Sequence, residues 1–87
     1  MHTTDSLKSE IKHAIVRSLR LPLSPDEIGN DTPLFGEGLG LDSIDVLELV
    51  LELERSFQVT IADEQTGFKV LRSVDTIAAF VDEHRPA

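Results

Sequence analysis

The chain has 87 residues, 40% apolar and 28% charged, with a formal net charge of −8 and no cysteine. That length has room for one domain, residues 1–87, with a modest core, and the balance is that of a folded chain. It excludes a large enclosed active site, disulfides and thiolate metal centres, and the negative field excludes nucleic acid while attracting basic protein surfaces.

The first ten residues are polar and lack the apolar core of a signal peptide, and no stretch approaches the roughly 18 apolar residues of a membrane span. A cytoplasmic location is therefore expected. Over residues 6–21, Leu7, Ile11, Ala14, Ile15 and Leu19 recur at three- and four-residue spacing, with Lys8, Lys12 and Arg17 between them. This predicts an amphipathic first helix closed by Pro22. Ser24-Pro25-Asp26-Glu27 then sets a capping serine, a proline at the first helical position and a glutamate at the third, which predicts one short helical turn.

Asn30-Asp31-Thr32-Pro33 and Phe35-Gly36-Glu37-Gly38 continue a long loop, with Leu34 and Phe35 expected to tuck inward and pin it. A loop of about twenty residues in so small a domain implies function. Here it delivers the chain to Asp42-Ser43.

Residues 43–58, free of glycine and proline and capped by Asp42, form the clearest predicted helix. Val46, Leu49, Val50, Leu53 and Phe57 make its core stripe. Ile44, Leu47 and Leu51 are left over as a second apolar line, interleaved with Asp45, Glu48, Glu52 and Glu54. An apolar line edged by carboxylates suggests a docking surface, although the acids could equally solvate the helix and favour its dipole. Phe57-Gln58-Val59-Thr60-Ile61 alternates like a strand but has no partner strand, and reads as an extended connector with Val59 and Ile61 inward. A short turn at residues 63–66 ends at Gly67, and Ser73 caps a last helix carrying Val74, Ile77, Ala78, Phe80 and Val81 before Pro86. The predicted fold is all-α, a small four-helix bundle of three main helices and one or two short ones, with a long loop between the first and second helices.

Charge is segregated along this plan. Asp31, Glu37, Asp42, Asp45, Glu48, Glu52, Glu54, Asp63 and Glu64 face Arg55 alone, whereas residues 1–30 and 67–87 are each balanced. The whole excess of acid surrounds the second helix.

Ser43 beside a helix start reads first as a cap. Asp42 can take that task, leaving the Ser43 hydroxyl on the exposed first turn, where a helix N-terminus suits a phosphate group. The histidines His2, His13 and His84 show no ligand spacing and read as surface residues. A calcium-loop register at Asp26, Asn30 and Glu37 fails because Ile28 fills a ligand position and Asp31 stands where glycine is needed. Neither observation supports an enzyme.

The run Leu39-Gly40-Leu41-Asp42-Ser43-Ile44-Asp45, followed by Leu47-Glu48-Leu49-Val50 and then Glu54 and Phe57, resembles the attachment motif and second helix of acyl carrier proteins. The likeness extends to the first helix, the Asp31-Thr32-Pro33-Leu34-Phe35 loop and the final helix. It implies a discrete carrier without its own catalytic site, whose Ser43 takes 4′-phosphopantetheine from coenzyme A through a phosphopantetheinyl transferase. The thiol missing from the sequence would arrive with that arm and hold acyl groups as thioesters. The resemblance further assigns Asp42 to the attachment site, and Ile44, Asp45, Glu48, Leu51 and Glu54, with Asp63 and Glu64, to a partner-binding surface. Val46, Val50, Leu53 and Ile61 become candidate lining for a sheltered acyl chain, or plain core. Ketosynthase, acyltransferase, reductase and dehydratase enzymes of fatty acid or polyketide biosynthesis with basic docking patches are the implied partners, and a monomer is expected. Leu41, Ile44 and Glu52 depart mildly from the family pattern, and the run at residues 35–40 is reminiscent of carriers of aryl-polyene-like clusters. An unmodified carrier-like interaction module and a peptidyl or D-alanyl carrier are the alternatives.

Overall fold

The structure, a computed structural model, describes residues 3–35 and 38–84, including side chains except at positions 3–5 and 64. His2, the Gly36-Glu37 pair and Pro86 lie outside the described residues. Helices α1 (Thr3–Leu19), α2 (Ser43–Phe57), α3 (Glu64–Val70) and α4 (Val74–His84) follow in order, with a 3-10 turn at Pro25–Glu27 inside the long loop. The all-α plan and the loop between the first two long helices are as the periodicity predicts. No strand occurs among the described residues, and Phe35 meets Leu41 only in an isolated bridge.

Helix α1 packs against both α2 and α4, and α3 bridges α2 and α4. Leu7, Ile11 and Ile15 of α1, Val46, Leu49 and Leu53 of α2, and Val74, Ile77 and Val81 of α4 meet in one buried cluster. Burial of such side chains, each favourable by about 1.5–3 kcal/mol, gives the helices a common interior that none holds alone. No helix among the described residues is long and apolar enough to cross a membrane.

Three element ends differ from expectation. α1 stops at Leu19 because Arg20 turns left-handed at φ 52° and the Leu21 N–H donates back to the Val16 carbonyl at 3.2 Å, before Pro22 can act. α3 runs through Gly67 to Val70, so this glycine does not terminate the helix. Gly67 is buried where α3 packs on α2, and a Cβ there would meet Val50 Cγ2 at 3.4 Å and Ile61 Cγ2 at 3.8 Å, ordinary contact distances. α4 runs past Val81 to His84, whose ring stacks on Phe80 with centroids 4.1 Å apart.

The loop is held by its own apolar residues and by the far end of the molecule. Ile28 and Leu34 are fully buried, Leu34 N–H donates to the Arg72 carbonyl at 3.0 Å, and Asp75 N–H donates to the Asn30 carbonyl at 2.9 Å. The Phe35 ring sits 5.6 Å from that of Phe68. The turn ahead of Asp42 needs two glycines: a Cβ on Gly38 would fall 1.5 Å from the Pro33 carbonyl oxygen, and Gly40 adopts φ 70°. The loop thereby fixes where α2 begins.

Glu52 corrects the reading of the α2 acids. It was expected among the exposed carboxylates, yet it is 5% exposed and points at α1. Arg17 donates to its Oε2 at 2.5 Å, Ser56 Oγ donates to the same oxygen at 2.8 Å, and Arg55 pairs with Oε1. A carboxylate so close to the core is retained because two guanidiniums and a hydroxyl replace its water. The Arg17 hydrogen bond is the main cause that lowers its pKa to about 2, with Ser56 and Arg55 adding to it against the cost of burial. The cluster clamps the C-terminal half of α1 to α2.

Arg17→Ala is expected to destabilise the protein by about 1–2 kcal/mol near neutral pH, the scale of a charged hydrogen bond whose cation remains largely in water. Because the folded carboxyl titrates below its unfolded counterpart, this contribution is present above the unfolded pKa and fades as pH falls from 4.5 toward 2. Urea denaturation of both proteins at about pH 7 and about pH 3 checks it. The stability gap should narrow at the lower pH, and an unchanged gap contradicts the clamp.

Candidate functional site

The N-terminus of α2 carries a reciprocal cap. Asp42 Oδ1 accepts the N–H groups of Ile44 and Asp45, each at 3.0 Å, while Asp42 N–H donates to Asp45 Oδ2 at 3.0 Å. The two carboxylates satisfy donors that the first turn of a helix leaves without partners. Ser43 follows as the first helical residue, is exposed, and has no hydrogen-bond partner for its hydroxyl among the described residues. The expected division of labour is therefore what the structure presents: aspartate caps and serine is free. The Ile44 and Asp45 amides are already engaged by Asp42, so neither awaits another acceptor at this helix end.

Beside Ser43 lies a groove of about 560 Å³, within the range of small-molecule sites. Its α2 side is formed by Ser43, Ile44, Val46, Leu47, Val50, Leu51 and Glu54, and its other side by Ile61 and Asp63. Of the four residues considered for an acyl pocket, Val46, Val50 and Ile61 line this groove, whereas Leu53 is 1% exposed in the core and does not. Ile44, Leu47 and Leu51 stand 68%, 62% and 58% exposed, an apolar ridge with no covering element among the described residues. Leu47 is the residue the site assignment passes over, although its spacing from Ile44 and Leu51 signals it.

The carboxylates around this ridge are not equivalent. Glu48 and Asp63 are exposed. Asp63 also caps α3 by accepting the Thr66 N–H at 2.7 Å, which lowers its pKa. Asp45 is half-buried in the α2 cap, and Glu54 is half-buried with Oε2 accepting the Ile61 N–H at 2.8 Å. On the other flank of α2, Arg20 and Arg55 line a second depression with Glu48 and Leu51. The acid excess of the sequence thus resolves into an acidic side toward Ser43 and Asp63 and a mixed side toward α1.

His13 and His84 direct Nδ1 at the Ser9 and Phe80 carbonyls of their own helices, at 2.8 and 2.9 Å. Both are exposed, and neither joins the groove.

A family model described as the phosphopantetheine attachment site matches residues 9–81. Among curated proteins, an acyl carrier protein of Sulfurovum sp. (strain NBC37-1) is 43% identical over 60 residues, spanning 69% of this chain and 76% of its own length. That of Onion yellows phytoplasma (strain OY-M) is 39% identical over 67 residues, spanning 77% of this chain and 84% of its own. That of Wolinella succinogenes is 32% identical over 76 residues, spanning 87% and 93% respectively. With the match covering Ser43, the groove, all of α2 and α3 and most of α1 and α4, the chain belongs to the acyl carrier protein family, whose prosthetic group is 4′-phosphopantetheine.

Proposed function

We propose that residues 1–87 act as one discrete carrier, with Ser43 Oγ the attachment point for 4′-phosphopantetheine donated by coenzyme A through a phosphopantetheinyl transferase. The observation that carries this is the unbonded, exposed Ser43 hydroxyl directly behind a cap that Asp42 and Asp45 complete between themselves. The arm supplies a terminal thiol, absent from this cysteine-free chain, on which acyl groups are held as thioesters. The chain's own residues position the attachment site, present a face to partners and offer the bound chain a surface. No catalytic role falls to them.

Ile44, Leu47 and Leu51, with Glu48, Asp45 and Asp63 beside them, form the docking face, to which the neighbouring Glu64 would add charge. Exposed apolar area rimmed by acid fits enzymes that are apolar at the centre of their contact and basic at its rim. Ketosynthases, acyltransferases, reductases and dehydratases of fatty acid or polyketide assembly in the cytoplasm are the partners in this reading. Val46, Val50 and Ile61 line the groove in which an acyl chain would shelter.

Incubation with coenzyme A and a broad-specificity transferase should add one phosphopantetheine to the wild-type mass and nothing to Ser43→Ala; an unchanged wild-type mass sinks the carrier reading. Glu48 is exposed and makes no ion pair among the described residues, so Glu48→Lys should leave the fold intact while slowing acyl transfer to a partner enzyme roughly tenfold at low ionic strength. The difference should shrink as salt rises. Equal transfer rates across the salt series would remove Glu48 from the docking face.

A further inference from the structure

The groove beside Ser43 has one wall that helix formation alone does not supply. α2 provides a rigid side, but Ile61 belongs to the extended connector between Phe57 and Glu64, whose backbone has no helical hydrogen bonds to fix it. Gln58 enters this connector left-handed, at φ 56°. Two things hold it against α2: burial of Val59 and Ile61, and the 2.8 Å bond in which Ile61 N–H donates to Glu54 Oε2. Burial sets no fixed separation, since apolar contact is non-directional, whereas a charge-assisted hydrogen bond does. The bond spans seven residues and ties the connector to α2 at the groove itself, because Glu54 and Ile61 both line it.

Resting on the carrier reading, we infer that Glu54 is a positioning residue: its carboxylate latches the Ile61 backbone so that the connector stays in place as the wall against which an acyl chain tethered at Ser43 is sheltered. Glu54 stands eleven positions along α2 from Ser43, about 16 Å at the helical rise. The latch therefore sits at the end of the groove remote from the attachment point. An acetyl group has little apolar surface to shelter and depends on the latch least, whereas a decanoyl chain must lie along the groove wall and depends on it most. The half-burial of Glu54 and its internal partner set it apart from Glu48, which is exposed and free to meet a docking enzyme.

The test compares wild type, Glu54→Ala and Glu54→Gln, the last retaining an amide oxygen that can accept the Ile61 N–H. In the unmodified proteins, hydrogen exchange at the Ile61 amide should quicken about tenfold in Glu54→Ala and return toward wild type in Glu54→Gln. The Leu49 and Ile77 amides should keep their protection, showing that the bundle is intact. The same proteins are then loaded at Ser43 with decanoyl- or acetyl-phosphopantetheine, checked by intact mass, and exposed to hydroxylamine. Wild type and Glu54→Gln should protect the decanoyl thioester more than the acetyl one, and Glu54→Ala should lose that chain-length preference while cleaving the acetyl thioester at the wild-type rate. Unchanged Ile61 exchange in Glu54→Ala, an unchanged decanoyl preference, or failure of glutamine to restore either one overturns the latch. Failure of wild type to load at all overturns the carrier reading instead, and the exchange measurement still decides whether Glu54 holds the connector.

Discussion

The cap at the start of α2 is the constraint on which the site depends. A helix beginning at an exposed position needs acceptors for its first amides, and a serine at that place would ordinarily bend back to serve as one. Here Asp42 accepts from Ile44 and Asp45, and Asp45 accepts in return from Asp42. The first amides are served without the Ser43 hydroxyl, which stands exposed with no hydrogen-bond partner among the described residues. The remaining features place that cap: the buried Leu34 and Ile28 anchor the loop, the Gly38 and Gly40 turn brings it back, and α1 and α3, both packed on α4, hold α2 in register.

Around this point the same helix divides its tasks by face. One stripe, with Val46, Leu49 and Leu53, is interior. A second, with Ile44, Leu47 and Leu51, is left uncovered. Between the second stripe and the connector lies the groove, so the exposed apolar ridge and the groove share one side of α2. The carboxylates divide likewise: Asp42 and Asp45 build the cap, Glu48 faces solvent, Glu52 binds α1 and Glu54 holds the connector. A net charge of −8 concentrated near one serine therefore conceals at least three kinds of work.

Much of this was legible in the sequence because it is local. Helix α2, its Asp42 cap, the exposed Ser43, the short turn at Pro25–Glu27 and the second apolar line are consequences of spacing within a few residues. What escaped was set by tertiary neighbours. Glu52 looks like any other acid on α2 until α1 brings Arg17 beside it, across 35 positions of sequence. Gly67 looks like a helix stop until the fold places it inside α3, buried against Val50 and Ile61. Leu53 and Val50 share one sequence stripe, yet only Val50 reaches the groove, because one edge of that stripe faces the connector and the other packs on α1.

The central claim is that the Asp42–Asp45 cap leaves Ser43 Oγ free to carry a phosphodiester with the helix end undisturbed. Phosphorus-31 NMR of the protein after treatment with coenzyme A and a phosphopantetheinyl transferase tests it most directly. The account predicts one protein-bound phosphodiester resonance correlated with the Ser43 β-protons, and Ile44 and Asp45 amides that keep their protection from exchange. A phosphodiester on any other hydroxyl, none at all, or loss of those two amides' protection on modification would contradict it.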